Sequence, residues 1–549
     1  MHHHPIRLEP IPISTSLRQF LNEEPLKPKR TSSKKRILYI AMLAVGLAAG
    51  VALIARLLVG LINLVTNLSF FGRWSLAESS PVNATLGLWV IALPAVGGIL
   101  VGLMAFYGSK AIRGHGIPEA MEQILVNKSR IKPIIAFLKP ISAAISIGTG
   151  GPFGAEGPII ATGGALGSTI GQILTISDSE RKTLLAAGAT AGMATIFGTP
   201  LAAIFLAIEL LLFEFSARSI IPVALACITG AAGHHLLFGT DPVFALSETI
   251  PEASNAALLA YSAIGLLIGV LSVVITRLVY FIEDGFEKLP LHWMWWPALG
   301  GLAVGLIGYV APKTLGVGYR NITDILSGTM PLSLILSLCL FKLLSWSISL
   351  GSGTSGGTLA PLLTIGGAIG ALAGHAIEGV FPGLAINLPL AALVGMSALF
   401  AGASRAVLTS IVFALETTHQ TNSLLPLLAA CAGSYSISFL LMENTIMTEK
   451  IARRGTKTPE SYESDWLEQW TVGEVATRSE VFLADTSTVP EVYQYLRQAA
   501  TKSQRFVVLD TDHHFRGIVS LSALITYPDQ TAPLHGLLLP MGQIYTLSN

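Results

Sequence analysis

Glu156 stands in the run Gly154-Ala155-Glu156-Gly157-Pro158, within an otherwise apolar stretch. An ionisable side chain in such surroundings is costly and usually functional. The glycines and proline around it end one element and begin a helix. The first backbone N–H groups of that helix have no partner inside it, and they carry the positive end of the helix dipole. Glycine lets an ion approach the backbone closely. Together these features make a seat for an anion without a full positive charge. A carboxylate on the same helix start competes for those N–H groups, and leaves when it is protonated or displaced. Two further segments have the same make-up, Gly114–Glu119 (GHGIPE) and Gly357–Pro361 (GTLAP).

The elements that position these segments belong in a bilayer. The chain has 549 residues, of which 52% are hydrophobic and 12% charged, against roughly 25% charged in soluble proteins. Mean hydropathy is +0.63. Apolar runs fill about 37–71, 85–107, 133–147, 159–175, 183–212, 217–238, 256–282, 293–311, 331–350, 358–381, 385–417 and 423–442. Some are shorter than the ~20 residues of a straight crossing, and others are long enough to fold back. Short, glycine-interrupted runs predict helices that stop partway across the membrane, where irregular backbone is tolerated only if buried in protein or lining a cavity. Lys27, Lys29, Arg30, Lys34, Lys35 and Arg36 precede the first run, and Lys450, Arg453 and Arg454 follow the last. Such flanking bases place both termini on the cytoplasmic side.

Other function classes find little support. A net charge of +1 argues against nucleic acid as a partner. Cys227, Cys339 and Cys431 lie far apart in apolar runs and read as small buried hydrophobes. There is no nucleophile–base pair, metal-ligand cluster or phosphate loop in the sequence, so neither an enzyme nor a cofactor is expected. His2, His3 and His4 are set aside as a possible tag remnant.

The chain also repeats itself. Gly148–Gly171 lies over Gly351–Gly374 without a gap, so that Gly148, Gly150, Gly154, Gly163, Gly164, Gly167 and Gly171 fall on Gly351, Gly353, Gly357, Gly366, Gly367, Gly370 and Gly374, and Pro158 on Pro361. Further on, Pro200–Glu209 (PLAAIFLAIE) matches Val407–Glu416 (VLTSIVFALE). Two related halves, each giving a broken helix start to one central site, are a transporter plan.

With the three segments in order, the chain resembles the CLC family of chloride channels and chloride/proton antiporters, whose signatures are GSGIP, GxEGP and GxFxP. Gly395–Thr418 resembles the family's later conserved region, and the likeness runs over about residues 40–455. It implies chloride as the transported ion, a homodimer with one pore per subunit, and Glu156 as the gate. By the same likeness the anion is bound by Gly114, His115, Gly116, Ile117 and Pro118, by Gly154, Ala155, Gly157 and Pro158, and by Thr358, Leu359 and Ala360. The apolar helices around Ile204–Phe213 and Ile411–Ala429 are candidate dimer contacts. Four positions depart from the family pattern. His115 replaces a serine that donates to the central chloride; a neutral imidazole could donate as well, or the ring could merely fill space. Leu359 replaces a Phe whose backbone N–H is the expected ligand. Met447 stands at the inner tyrosine gate and has no hydroxyl. In Ala207-Ile208-Glu209-Leu210, Glu209 matches the first acid of the family's I-E-E motif and Leu210 occupies the proton-relay position. Glu214, about one turn on, is either a substitute relay or an acid at the membrane edge. The missing relay acid and hydroxyl favour a passive channel over an antiporter.

From about Val472 the tail resembles a CBS module. Val472–Val475 opens it, Val489–Ala499 is helix-like, Arg505–Asp510 and Gly517–Leu521 are strands about an Asp510–Asp512 turn, and Ser522-Ala523-Leu524 follows. Such modules usually pair and can bind adenine nucleotides; only one fits here, and Ala523 replaces the acid that often grips ribose, which argues for a supporting role in assembly or gating. The expected fold is therefore an all-α polytopic membrane protein of two inverted-topology halves with broken, tilted helices, followed by a small α/β cytoplasmic domain. Residues 1–36 form an N-terminal segment, 37–455 the membrane domain and 456–549 the tail. A plasma-membrane location is expected. The readings in order are a gated chloride channel, a chloride/proton antiporter and, remotely, a non-transporting sensor.

Overall fold

The computed structural model describes residues 34–459, save 175, 247–248 and 385, and residues 482–539, save 500–503, 513 and 527–532. The predicted N-terminal segment falls almost wholly outside this set, as does Val472–Val475. The described residues form two bodies, a large helical one and a small one in the tail.

In the large body, eight described helices are long and apolar enough to cross a membrane, among them Lys34–Phe71, Asn255–Glu287, Leu332–Gly351 and Leu359–Val380. Leucines such as Leu53, Leu57, Leu259 and Leu425 face outward, as lipid-facing positions do. Shorter apolar helices lie between them, Ile135–Gly148, Leu388–Ser404 and Val407–Thr418 among them. Two predicted runs each prove to be two helices. The run 183–212 breaks after Asp178–Phe197, where Gly198 turns left-handed (φ 66°), and resumes at Pro200. The run 385–417 breaks after Leu388–Ser404, where Arg405 does the same (φ 59°), and resumes at Val407. Composition hides both breaks because the residues on either side remain apolar.

The two breaks occupy matching places in the repeat, and the packing follows suit. A Cβ on Gly98 would lie 2.1 Å from the Pro297 carbonyl, and one on Gly301 would lie 2.2 Å from the Pro94 carbonyl. The helices Trp89–Tyr107 and Trp296–Val310 thus cross through reciprocal small-residue contacts, which let backbones approach without side chains between them.

The small body carries a three-stranded sheet in the order β1 (Phe482–Ala484), β2 (Arg505–Leu509), β3 (Phe515–Ser520). β1 runs parallel to β2, and β2 antiparallel to β3. The parallel pair requires a crossover, supplied by the Val489–Ala499 helix. Val489, Val492, Phe506, Val508, Val519 and Leu524 form its core. The expected turn is present: Asp510 Oδ1 accepts from the N–H groups of Asp512 (3.0 Å) and His514 (2.7 Å).

Candidate functional site

The three glycine-rich segments converge at the centre of the helical body. Gly154 and Gly357, which coincide in the repeat, pair with each other: Gly154 N–H donates to the Gly357 carbonyl at 3.3 Å and Gly357 N–H to the Gly154 carbonyl at 3.1 Å. Gly114 joins them, its N–H donating to Thr354 (3.1 Å) and its carbonyl accepting from Gly356 (3.4 Å). Two helices open from this junction, Glu156–Ile173 and Leu359–Val380. A proline in the first turn of each lacks an N–H that would have had no helical partner anyway. The junction needs glycine at Gly157, where a Cβ would fall 2.2 Å from the His115 carbonyl and 2.6 Å from Gly357 Cα.

Glu156 is fully buried. Its carboxylate reaches the start of the other half's helix: Oε1 accepts the Ala360 N–H at 2.7 Å, and Oε2 accepts the Tyr319 hydroxyl at 3.0 Å. It fills the place where the N-terminus of the Leu359–Val380 helix would otherwise offer donors to an anion. Gly154 makes room for it, since a Cβ there would lie 1.9 Å from Oε2.

Several expected backbone ligands are already engaged. The N–H groups of Gly114 and Gly154 pair within the junction, and that of Gly116 donates to Glu119 Oε2 at 2.6 Å. Pro118 and Pro158 have no N–H to offer. These residues shape the junction through their backbone. His115, Ile117, Ala155, Gly157, Thr358, Leu359 and Ala360 are buried around it. His115 is 6% exposed, and its Nδ1 has no hydrogen-bond partner among the described residues. An orphaned buried nitrogen is unusual and is the kind of group a bound ion would satisfy.

The loops that enter this junction are also braced from outside it. Two buried lysines stand behind the loops that lead into it. Lys139 Nζ donates to the carbonyls of Ile112 (2.8 Å) and Gly114 (2.7 Å), and Lys342 Nζ to those of Thr314 (2.9 Å) and Gly316 (3.0 Å). Each amine fixes a loop by its carbonyls. Sequence reasoning missed both lysines and Tyr319. The signal was present: Phe137-Leu138-Lys139 and Leu340-Phe341-Lys342 put a base at one place in each apolar repeat, and Gly316-Val317-Gly318-Tyr319 mirrors Gly114-His115-Gly116-Ile117.

The positions named for proton relay share no hydrogen bond with Glu156 among the described residues. Leu210 sits in a π-helical turn, Ala207–Leu212, and is buried among apolar side chains. Such turns are rare and recur at functional sites. Glu209 caps the start of the Val407–Thr418 helix, accepting from Leu408 N–H (2.9 Å), Thr409 N–H (2.9 Å) and the Thr409 hydroxyl (2.6 Å). Glu214 accepts from Ser216 Oγ at 3.3 Å and lies 3.8 Å from Lys182 Nζ. Met447 is wholly buried beside Ile446, whose carbonyl accepts the Tyr280 hydroxyl at 2.9 Å.

The family profile described as "Voltage gated chloride channel" matches residues 96–438. The chain belongs to this family, the CLC proteins. Anion transport across a membrane follows from that membership. Chloride channel protein CLC-f of Arabidopsis thaliana is 33% identical over 371 residues, 62% of this chain and 46% of that protein, so the chain spans less than half of that relative's length. The H(+)/Cl(-) exchange transporter ClcA of Vibrio parahaemolyticus is 30% identical over 396 residues, 68% of this chain and 82% of that one. Among solved structures, a slow cyanobacterial Cl-/H+ antiporter superposes with a TM-score of 0.67 at 25% identity, covering 75% of this chain and 97% of the other. A eukaryotic CLC transporter shares the fold, with a TM-score of 0.64 at 20% identity, covering 92% of this chain and 93% of the other.

Proposed function

We propose that this protein exchanges chloride for protons across a membrane, with Glu156 both blocking the anion's seat and carrying the proton. The observation that carries the reading is the Glu156 carboxylate on the Ala360 N–H at 2.7 Å. Ionised, it excludes chloride from those donors; protonated, it no longer competes as an anion and releases the seat. Each opening thereby couples one proton-binding group to one anion site. His115, with its orphaned Nδ1, is a donor to chloride at the same junction. The exchange activity named for the Vibrio relative and for the cyanobacterial structure supports antiport, against the passive channel suggested by Leu210 and Met447. With Leu210 unable to hold a proton and Glu209 engaged as a cap, Glu214 or water completes the path on that side. The functional unit is a homodimer in the plasma membrane with both termini cytoplasmic.

The test uses purified protein in liposomes, with chloride efflux and external pH recorded together. An outward chloride gradient should drive protons inward against their own gradient. Chloride efflux with no proton movement would return the reading to a passive channel. In that case Leu210 marks a lost relay.

A further inference from the structure

Tyr319 opens the Tyr319–Leu326 helix, and Gly318 before it takes a left-handed conformation (φ 76°). Its ring packs edge-on against Phe197, with centroids 5.7 Å apart, and against Phe244 at 6.3 Å. Phe197 and Phe244 are themselves buried and lie against Phe413. The loop before the ring is pinned by Lys342 through the Thr314 and Gly316 carbonyls. The ring is thus fixed on several sides, and its hydroxyl is aimed at Glu156 Oε2, 3.0 Å away. At the corresponding place in the first half stands Ile117, which has no hydroxyl.

We propose that Tyr319 is the latch of the gate: its hydroxyl holds the Glu156 carboxylate in the anion's seat and so sets the pH at which the seat opens. The proposal rests on the reading of Glu156 as the gate. A phenol donates to a carboxylate, and a hydrogen bond to an ionised acceptor is stronger than one between neutral groups. The bond favours the ionised, seated form. Without it the seated form keeps the Ala360 N–H but loses its side-chain donor. The seat then opens at higher pH.

The other titratable groups around Glu156 stay in place when only the hydroxyl is removed. Its own helix brings none, and the Leu359–Val380 helix meets it with first-turn backbone. Lys342, on the Leu332–Gly351 helix, is the titratable group behind the loop that leads to Tyr319. The Gly114 segment, packed against Gly157, carries His115 and Glu119. Lys139 is bound to that segment's carbonyls, and Lys450 is paired with Glu119 at 3.4 Å. Tyr319 acts through Glu156 and is a positioning residue.

The experiment measures chloride flux against pH in proteoliposomes for the native chain, for Tyr319→Phe, and for a chain with 3-fluorotyrosine at position 319, whose phenol is a stronger donor. Each is repeated in a Glu156→Gln background. Tyr319→Phe keeps the ring and its packing, and should move the midpoint of activation upward by roughly one pH unit, the scale of one hydrogen bond to a charged group. Fluorotyrosine should move it downward. Neither change should alter flux in the Glu156→Gln background, where no carboxylate remains to be held. Superimposable profiles for all three chains would overturn the latch, as would shifts that persist in the Glu156→Gln background. If Glu156→Gln alone leaves the native pH dependence intact, the gate reading itself fails; if it flattens the profile while the position-319 variants shift nothing, only the latch fails. Should Tyr319→Phe not fold, the fluorotyrosine arm decides the matter by its sign.

Discussion

Two places in the helical body put a carboxylate on the helix start of the opposite half, and they differ in symmetry. At the first, Glu209 accepts from Leu408 and Thr409, while Glu416 accepts from Leu201 (3.0 Å) and Ala202 (2.8 Å). Glu209 and Glu416 coincide in the repeat, as do the amides they hold, so each half caps the other. At the second, Glu156 accepts from Ala360, yet the residue that coincides with Glu156 is Leu359, which has no carboxylate to return. A reciprocal cap satisfies N–H groups that burial would otherwise leave unpaired. A one-sided carboxylate has no counterpart in the other half, and it is the group proposed as the gate. Symmetry thus distinguishes the reciprocal caps from the proposed gate.

The widest separation is expected from Glu156→Ala. It should abolish proton coupling and pH-dependent gating while the protein stays folded, as read by flux assays on a monodisperse preparation. Persistent pH dependence would erase the distinction between the two places. Next comes Gly157→Ala, whose Cβ would fall 2.2 Å from the His115 carbonyl. It should drive the three segments apart and remove transport, or prevent folding altogether, which yield and thermal melting will show.

Glu209→Ala and Glu416→Ala should act on stability. Each removes the carboxylate cap from two helix-start amides, at a cost of about 0.5–2 kcal/mol, and Glu209→Ala should cost more because Thr409 is buried and also donates its hydroxyl. Melting temperature should fall in that order, with coupled transport per folded molecule retained. Loss of coupling in Glu209→Ala at intact stability would make Glu209 a relay after all.

The smallest effect is expected in the tail. The Asp510 carboxyl is held below its usual range, chiefly by the His514 N–H. Its stabilising contribution is therefore present above the unfolded value of about 3.9 and is lost as pH falls through the lower folded value. Asp510→Ala should loosen the β2–β3 turn near neutral pH, seen as faster amide exchange at Asp512 and His514, without altering transport.

Much of this arrangement could be read from the residues. Gly154, Gly157 and Gly357 announced the junction because close backbone approach admits few other residues. Glu156 stood out because a charge in an apolar run needs a reason. The repeat forecast the pairing of halves. The breaks at Gly198 and Arg405 were obscured by uniformly apolar neighbours. Tyr319 escaped notice because a tyrosine at a helix start is commonplace until its hydroxyl is seen beside Glu156. Glu209 was read by its place in a motif, whereas its role is set by amides some two hundred residues away in sequence.

The central claim is that the Glu156 carboxylate occupies an anion's seat at the Ala360 N–H. Crystals of the native chain and of Glu156→Gln, grown in bromide and measured at the bromine edge, test it most directly. Anomalous density at the Ala360 N–H in Glu156→Gln, absent from the native chain at a pH where Glu156 is ionised, is the predicted result. Bromide at that N–H in both chains, or in neither, would contradict it.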